Sequence, residues 1–421
     1  REYRALGLGL AETGYFRLPT GDVAKRMPLY PALIAAICRW QGPDLWANGV
    51  LLIQTLLAWC STLLLALVAE RLADARAAWM TGTIAALYAP FRELQMSFLS
   101  ETLLIFLLVL TVFVYVTGGI TAKSSAARYA ALAGVSLLLG LAALTRANAL
   151  LLLVPFAVDA AVRHGRAVQR AGRLALVLLP ALLCVACWAE RNRRALGSFT
   201  LSTGGGLNFY LGHHPGYAAH PGLGAGTNYA AYDRLRSGGL GEVEANRRLF
   251  RTGRDFAAAH LAETAANAGR KLVVWLQPNI PQRGPLTPVL ALGALAVCGW
   301  RRWQTGRLSG LRRTLYASVL LLLPVSIICL AFAAWDTKLP LATGLHEVPL
   351  GLAALLLLRG TPNIRGLLLG LFATQLAVAV AFIPIVRLRW AVDGLLLVAI
   401  GVGLSRLCRW LRDEPEHSPA A

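Results

Sequence analysis

The stretch Glu101-Thr-Leu-Leu-Ile-Phe-Leu-Leu-Val-Leu-Thr-Val-Phe-Val-Tyr-Val-Thr117 carries its only charge at its first residue and is apolar almost throughout. An apolar run without internal charge is typical of a helix that crosses the hydrocarbon core of a bilayer. Similar runs recur along the chain, and together they predict eleven membrane spans. The spans are expected near residues 45–70, 77–91, 101–117, 128–144, 147–161, 174–190, 286–300, 314–333, 346–358, 366–385 and 390–405.

The composition of the whole chain also indicates a membrane protein. Of the 421 residues, 57% are hydrophobic and 15% are charged, whereas a typical soluble protein has about 25% charged residues. The net charge of +20 would suit nucleic acid, but most basic residues lie in short loops between apolar runs, and no nucleic-acid-binding signature is present. We therefore predict an all-α polytopic membrane protein that has no nucleic-acid partner.

The short loops fall into two sets that differ in charge. One set of alternate loops contains eighteen Lys and Arg residues, and the opposite set contains five. Because cytoplasmic loops are enriched in Lys and Arg, the first set is predicted to be cytoplasmic. Since the sequence opens on a polar segment, we expect a fragment that lacks a first span. The predicted parts are an outer first loop with interfacial helices (1–44), a bundle of six spans (45–190), an outer loop segment (191–285), a bundle of five spans (286–412) and a cytoplasmic tail (413–421).

Within the first outer loop, residues 14–31 form a basic stretch that contains three prolines and two glycines. These residues disfavour a long regular helix. Lys25 and Arg26 stand directly before the rigid sequence Met-Pro-Leu-Tyr-Pro31. Two adjacent cations beside an aromatic turn are suited to an anionic head group at the membrane surface. A basic loop that contacts lipid phosphates without specificity is the alternative.

Other polar residues are predicted on the same outer face. Glu101 opens an apolar helix, where an acid serves either as a helix cap or as a functional group. Asp393 would be costly inside an apolar run and is expected to pair with Arg389, four residues earlier. Glycines 204–206 predict a tight loop with accessible backbone amides. Three histidines follow in an irregular loop and are either a metal site or solvent-exposed side chains: His213, His214 and His220.

Several patches of sequence occur in a characteristic order. Four of them are Glu2-Tyr3 through Gly14-Tyr15, Arg26-Met-Pro-Leu-Tyr-Pro31, Leu99-Ser-Glu101, and Arg191-Asn192 with Gly197-Ser-Phe through Gly205-Gly-Leu-Asn208. A fifth, Arg387-Leu-Arg389, precedes the last span, with Ala391 where a proline is usual. By these patches the chain resembles the membrane-embedded GT-C glycosyltransferases, in particular the bacterial branch similar to protein mannosyltransferases and the aminoarabinose transferase. The resemblance covers nearly the whole chain and implies a GT-C-like helical bundle.

The resemblance implies transfer of a sugar from a polyprenyl-phosphate donor to a protein, lipid or glycan acceptor. The reaction would take place at the outer, periplasmic face of the bacterial inner membrane, with membrane lipid as a further partner. The family's main catalytic Asp would lie a few residues before the tyrosine that matches Tyr3, which is upstream of residue 1. Glu101 and Glu2 are the catalytic candidates within this sequence. The resemblance leaves a divalent metal ion open as a cofactor.

The remaining candidates follow from the same resemblance. The donor-phosphate-binding candidates are Lys25, Arg26, Tyr30, Arg191, Arg387 and Arg389, and the substrate-binding candidates are Tyr3, Asn192 and Asn208. Their chemistry suits the reaction, because cations stabilise the charge that develops on a departing phosphate. A carboxylate would deprotonate or orient the acceptor hydroxyl.

Two other functions are compatible with a multi-span chain. A transporter or lipid flippase would be expected to have inverted repeats and helices broken at the middle of the membrane. No clear internal repeat is present, and the charges gather at one face; the interruption at Leu144-Thr-Arg-Ala-Asn148 more closely fits a tight outer turn. A protein that binds a lipid-linked sugar without reacting it is the third alternative.

Overall fold

A computed structural model describes residues 2–120, 124–163, 165–214, 217, 229–276, 347–356, 362–382 and 386–412, together with single positions and short runs between 291 and 320. Within the longer ranges, the side chains at 347–349, 353, 356, 362, 363 and 386–388 are not described. The described part of the chain is helical and contains no β-strand.

The helices begin and end as follows. They are α1 (Glu2–Thr13), α2 (Leu29–Gln41), α3 (Trp46–Leu72), α4 (Ala75–Leu87), α5 (Ala89–Gln95), α6 (Glu101–Val114), α7 (Ser125–Thr145), α8 (Leu153–Val162), α9 (Ala167–Leu196), α10 (Gly205–Gly212), α11 (Ala230–Ser237), α12 (Glu242–Ala259), α13 (Leu261–Leu276), α14 (Glu347–Leu356), α15 (Pro362–Ala381) and α16 (Val386–Leu411). A π-helical segment, Tyr115–Ile120, extends α6, and a 3-10 helix, Ala147–Leu152, leads into α8.

Six helices in the described ranges are long and apolar enough to cross a membrane. They are Trp46–Leu72, Glu101–Ile120, Ser125–Thr145, Ala167–Leu196, Ile364–Ala381 and Arg389–Leu411. They confirm the predicted all-α polytopic membrane fold, and each coincides with a predicted span. The span predicted at 147–161 is a shorter apolar helix, and the spans predicted at 286–300 and 314–333 lie largely outside the described residues.

The span predicted at 77–91 is divided into two helices. The backbone of Tyr88 is extended (φ −68°, ψ 107°), so α4 ends there and α5 begins at the next residue. Pro90 lies in the first turn of α5, where its missing N–H costs no helical hydrogen bond. The apolar run 77–91 therefore covers most of one short helix and the start of another. Hydropathy alone does not distinguish this arrangement from a single span.

Helix α16 occupies the centre of the bundle. Of its most apolar segment, 83% is buried inside the protein, against 22% for α9. Helix α16 packs on α3, α4, α6 and α14. A Cβ atom on Gly401 would lie 2.0 Å from Thr81 Oγ1 of α4. The glycine therefore permits a close helix–helix approach of the kind that stabilises membrane bundles.

A fully buried ion pair lies at the start of α16. Arg389 Nε lies 3.0 Å from Asp393 Oδ1, and both side chains have no exposed surface. The hydroxyl of Tyr88 also donates to Asp393 Oδ2 at 2.8 Å, and Arg389 donates to the carbonyl oxygen of Trp275. The pairing predicted from the four-residue spacing is thereby confirmed, and it joins α16 to the α4–α5 break and to α13.

The ends of antiparallel helices meet at two opposite ends of the bundle. At one end, Glu101 at the start of α6 contacts Arg146 directly after α7. At the other end, Asp74 accepts a hydrogen bond from the N–H of Ala77 at the start of α4 and one from Ser405 Oγ near the end of α16. This alternation agrees with the order of loops used for the predicted orientation, while the cytoplasmic assignment of one end stays a prediction.

Residues 14–28 and helices α10–α13, here named the loop layer, pack together at the first of these ends. Glu242 at the start of α12 accepts hydrogen bonds from the N–H of Val23 (3.0 Å) and from Thr203 Oγ1 (3.0 Å). An apolar cluster holds α10, α11 and α12 together: Leu207, Leu211, Tyr232, Ala245 and Leu249. The long polar segment is therefore docked on the first loop, and the two form one layer.

Glycines 204–206 do not form the open loop expected from the sequence. Helix α10 begins at Gly205, and the N–H of Gly206 donates to Asn246 Oδ1 at 2.5 Å. A Cβ atom on Gly206 would lie 2.0 Å from the carbonyl oxygen of Asn246. The expectation was wrong because the glycine allows α10 to approach α12, and the amide of Gly206 is used within the protein.

Candidate functional site

Glu2, Lys25 and Arg26 form an ion cluster where α1 meets the loop layer. Glu2 Oε1 lies 2.9 Å from Lys25 Nζ, and Glu2 Oε2 accepts a hydrogen bond from Arg26 Nε at 2.6 Å and lies 2.5 Å from Arg26 Nη2. The side chain of Lys25 is 6% exposed, whereas those of Glu2 and Arg26 are 27% and 26% exposed. One carboxylate therefore bridges the two cations that the sequence predicts as a phosphate site.

The charges of this cluster stabilise one another. Burial raises the pKa of Glu2, but the charges and hydrogen bonds of Arg26 and Lys25 outweigh it, so the pKa lies below its ordinary value. Burial opposes the charge on Arg26, yet interactions with Tyr3 and Glu2 raise its pKa overall. A carboxylate with a lowered pKa is a weaker base. The geometry therefore favours a charge-pairing role for Glu2 over general-base catalysis.

Aromatic rings surround both cations. Lys25 Nζ lies 4.4 Å from the ring centre of Tyr232 and 4.9 Å from that of Tyr229. Arg26 lies over the ring of Tyr3 at 5.5 Å and donates a hydrogen bond to the hydroxyl of Tyr229 at 3.0 Å. Desolvated cations over aromatic faces gain favourable electrostatic energy. The rings therefore hold the two cations in place independently of Glu2.

The backbone that presents Lys25 turns sharply before it. Gly14 and Gly21 have positive φ angles of 74° and 86°, which side chains other than glycine disfavour. Asp22 follows this turn and is buried; it accepts hydrogen bonds from Thr20 Oγ1 and Tyr232 Oη, each at 3.0 Å. Asp22 Oδ2 also lies 4.0 Å from Lys25 Nζ. The turn and its buried acid therefore fix the position of Lys25.

A chain of polar contacts leads from Arg26 to Glu101. Tyr3, whose ring lies under Arg26, accepts a hydrogen bond at its hydroxyl from Ser100 Oγ at 3.2 Å. Arg146 Nη1 donates to Ser100 Oγ at 3.3 Å and to Glu101 Oε1 at 3.1 Å. Glu101 is 2% exposed. The structure thus brings the first residues of α1, the start of α6 and the end of α7 into one polar site.

Tyr30 lies beside this chain but directs its hydroxyl elsewhere. Its ring packs edge-on against that of Tyr3, with ring centres 5.4 Å apart. Its hydroxyl donates to Gln54 Oε1 at 2.6 Å, and Gln54 Nε2 donates in turn to the carbonyl oxygens of Gln95 and Ser97. Burial raises the pKa of Tyr30, with a further contribution from Glu101. Tyr30 therefore stays protonated and ties α2 to α3.

Arg191 and Asn192 support the loop from the end of α9. Arg191 donates to the carbonyl oxygens of Val23 (2.7 Å) and Phe16 (3.2 Å), while its guanidinium lies over the ring of Trp188. Asn192 is fully buried and donates to the carbonyl oxygen of Thr200 at 2.8 Å. Arg191 thus fixes the backbone before Lys25, and Asn192 fixes the segment after α9, in which Ser202 Oγ donates to the carbonyl oxygen of Lys25 at 3.1 Å. Their phosphate-binding and substrate-binding roles stay predictions.

The structure does not show the three other predicted site residues in this cluster of contacts, as far as their side chains are described. Asn208 is half-buried on α10. Arg389 is engaged with Asp393 and the carbonyl oxygen of Trp275. The side chain of Arg387 lies outside those that the structure describes. The six predicted residues that converge are Glu2, Tyr3, Lys25, Arg26, Tyr30 and Glu101.

Several residues of the site were not predicted from the sequence. Tyr232 follows Tyr229 by three positions. This spacing places both rings on the same side at the start of α11, toward Lys25. Asp22 precedes Lys25 by three residues and lines a cavity of about 400 Å³ with Thr20, Tyr232 and Arg236 among others. Arg146 was assigned to a turn. The spacing of the tyrosines and of Asp22 was the available signal; nothing local connects Arg146 to Glu101.

The histidines do not gather into a metal site in the described part of the chain. His213 is buried and stacks on Phe209, and His214 stacks on Tyr210. Within the residues that the structure describes, no group of three His, Cys, Asp or Glu side chains could hold a metal ion. His220 lies outside those residues. The described histidines therefore pack against aromatic rings.

Lys271 is a buried cation on α13, where the loop layer meets α15. Lys271 is 1% exposed and donates to the carbonyl oxygen of Val380 at 3.0 Å. Its Nζ atom lies 3.4 Å from His213 Nε2. Burial lowers the pKa of Lys271 to about 8, from an ordinary value of 10.5. Burial and the charge of Lys271 also lower the pKa of His213.

We expect Lys271→Met to be more stable than the unmodified protein at pH 7, with the difference shrinking as pH rises. Because the folded pKa is depressed, the unfolded chain binds more protons between about pH 8 and 10.5, and stability contributed by this group increases through that window. The full effect is at most about 3 kcal/mol. Thermal unfolding midpoints of both proteins in detergent between pH 7 and 10 measure it. A difference that does not change with pH would contradict the prediction.

Comparison with known proteins identifies similar solved structures. No protein-family model and no curated protein sequence matches the chain. The crystal structure of apo ArnT from Cupriavidus metallidurans is similar with a TM-score of 0.40 and 15% identity, over 96% of this chain and 72% of that one. Its complex with undecaprenyl phosphate gives a TM-score of 0.39 and 16% identity over the same shares. The Archaeoglobus fulgidus oligosaccharyltransferase with Zn and sulfate gives a TM-score of 0.46 and 13% identity, over 98% of this chain and 46% of that one.

Proposed function

We propose that this chain is a membrane-embedded glycosyltransferase that takes its sugar from a polyprenyl-phosphate donor. One observation carries the proposal: residues that are far apart in sequence converge on one polar site at one end of the helical bundle. Glu2 and Tyr3, Lys25 and Arg26, and Glu101 come from three separate patches by which the sequence resembles GT-C enzymes.

The roles of these residues follow from their chemistry. Lys25 and Arg26 are fixed cations that stabilise the negative charge on the phosphate as the sugar departs. Glu101, which Arg146 holds at 3.1 Å, accepts a hydrogen bond from the acceptor and orients it for attack on the sugar carbon. Arg191 and Asn192 act as positioning residues, because they fix the backbone around Lys25.

The location of the site suits a lipid-linked donor. The polar site lies where α6 begins and α7 ends, beside membrane-spanning helices. A polyprenyl phosphate would hold its chain in the bilayer and its charge at that boundary. From the charge of the short loops, we assign this end to the periplasmic face of a bacterial inner membrane, where the acceptor is a protein, lipid or glycan.

Sugar transfer by the full-length protein tests the proposal. In proteoliposomes with labelled polyprenyl-phosphate sugars, we expect Lys25→Met and Arg26→Gln each to lower kcat/KM by about 10²-fold, the effect of losing one donor to a developing oxyanion. Arg17→Gln, an exposed cation of the same loop, should retain full activity. Full activity in both cluster variants would refute the phosphate site, and net movement of the labelled lipid without transfer would indicate a flippase.

A further inference from the structure

The anion held by Lys25 and Arg26 in this structure belongs to the protein itself. Each oxygen of the Glu2 carboxylate contacts one cation, Oε1 with Lys25 and Oε2 with Arg26. Building on the proposed function, we propose that Glu2 is an internal competitor of the donor. The phosphate must displace its carboxylate from Lys25 and Arg26 to be held.

The geometry of the contact is the geometry that a phosphate would adopt. Two oxygens of one anion each contact a separate cation here, and a phosphate can make the same contacts because it also presents several acceptor oxygens to Arg and Lys. While Glu2 holds Lys25 Nζ at 2.9 Å and Arg26 Nε at 2.6 Å, a second anion at these atoms would meet the negative charge and the volume of its carboxylate. The two anions therefore compete for the same atoms.

The cations keep their positions when Glu2 leaves. Lys25 remains over the rings of Tyr229 and Tyr232, with Asp22 Oδ2 4.0 Å away. Arg26 remains hydrogen-bonded to Tyr229 and stacked over Tyr3. The exchange thus leaves a built site with its two cations directed to the space that the carboxylate occupied.

The exchange needs only a rotation of one side chain. Helix α1 is fixed on α2, because a Cβ atom on Gly7 would lie 2.5 Å from Ile34 Cγ2, and Leu6 is 1% exposed. Glu2 lies at the first residue of α1, and its side chain is 27% exposed. The lowered pKa of Glu2 keeps the carboxylate charged at neutral pH. The competitor is therefore present under assay conditions.

Binding of farnesyl phosphate to the detergent-solubilised protein tests the exchange. We expect Glu2→Gln and Glu2→Ala each to tighten binding at least ten-fold, because the apparent affinity rises when the competing state is removed. Glu12→Gln makes the same substitution at an exposed position of the same helix and should leave the affinity unchanged. The affinity for uncharged farnesol should be the same in the Glu2 variants as in the unmodified protein. Thermal midpoints confirm that each variant is folded.

Unchanged or weaker farnesyl phosphate binding in folded Glu2→Gln and Glu2→Ala would overturn the inference. Inorganic phosphate should gain by the same factor but bind more weakly than farnesyl phosphate; equal affinity for both would assign the site to free phosphate and overturn a lipid exchange. The proposed function fails separately. If Lys25→Met and Arg26→Gln bind farnesyl phosphate as the unmodified protein does, the phosphate site itself is refuted, whatever Glu2 does.

Discussion

Arg389→Met is expected to lower the free energy of unfolding by about 3–5 kcal/mol, the range for removal of one partner from a buried ion pair. Asp393 has no exposed surface, and the substitution removes the guanidinium whose Nε lies 3.0 Å from its Oδ1. A carboxylate without its cation in a buried site is strongly disfavoured. Titration of the purified protein with SDS in mixed micelles measures the change.

A double variant distinguishes the unpaired charge from the loss of packing. Arg389→Met with Asp393→Leu should recover most of the lost stability, because replacing a buried pair by apolar residues of similar size is often neutral or stabilising. Arg193→Met removes a cation from an exposed pair with Glu190 and should leave the midpoint unchanged within error. A double variant as unstable as the single one would show that the guanidinium acts through its bond to Trp275.

The membrane helices could be predicted because hydropathy is a local property. The run from Glu101 to Thr117 and five others coincide with helices long enough to cross a membrane. One of the exceptions, the span predicted at 77–91, depends on Pro90 and on the extended backbone of Tyr88. Tyr88 also bonds to Asp393, more than three hundred residues away. Because the helix break at Tyr88 is stabilised by a residue far away in the sequence, the hydrophobic pattern of residues 77–91 does not reveal it.

The sequence predicted which residues belong to the candidate site better than it predicted which residues they contact. Lys25 and Arg26 were identified from two adjacent cations beside a proline-rich turn, and the structure places them together. Their pairing with Glu2 was not predicted, because it depends on how α1 docks on α2 through Gly7 and Ile34. Arg191 was selected for its charge, yet its guanidinium binds backbone carbonyls of the loop. Side-chain partners across helices are set by packing, which the sequence does not display.

Different contacts position the loop residues of the polar site and Glu101. The loop residues are held by Arg191, which donates to the carbonyl oxygen of Val23, and by Glu242, which accepts a hydrogen bond from the N–H of Val23. Glu101 is held instead by Arg146, from a different pair of helices. The main contacts of the cations and of the carboxylate thus come from different helices, and Tyr3 and Ser100 link the two groups.

This separation leads to the second large effect. We expect Glu101→Gln to lower kcat for sugar transfer by about 10²–10⁴-fold, the usual contribution of a positioned acid–base group, while the affinity for farnesyl phosphate stays unchanged. The amide keeps the size of the side chain and one acceptor oxygen for Arg146, but it cannot take a proton and is a weaker acceptor than a carboxylate. Rates in proteoliposomes at saturating donor, together with binding measured separately, divide the two effects.

A purely structural Glu101 would give a different pattern. In that case Arg146 would lose its charged partner, and the thermal midpoint and the activity would fall together in Glu101→Gln. Glu244→Gln, half-exposed on α12, supplies the control for the substitution itself. Arg146→Lys keeps a cation near Glu101 and should retain part of the activity if position is what matters. Full kcat in a folded Glu101→Gln protein would exclude Glu101 as a proton acceptor in the reaction, because an amide cannot take the proton.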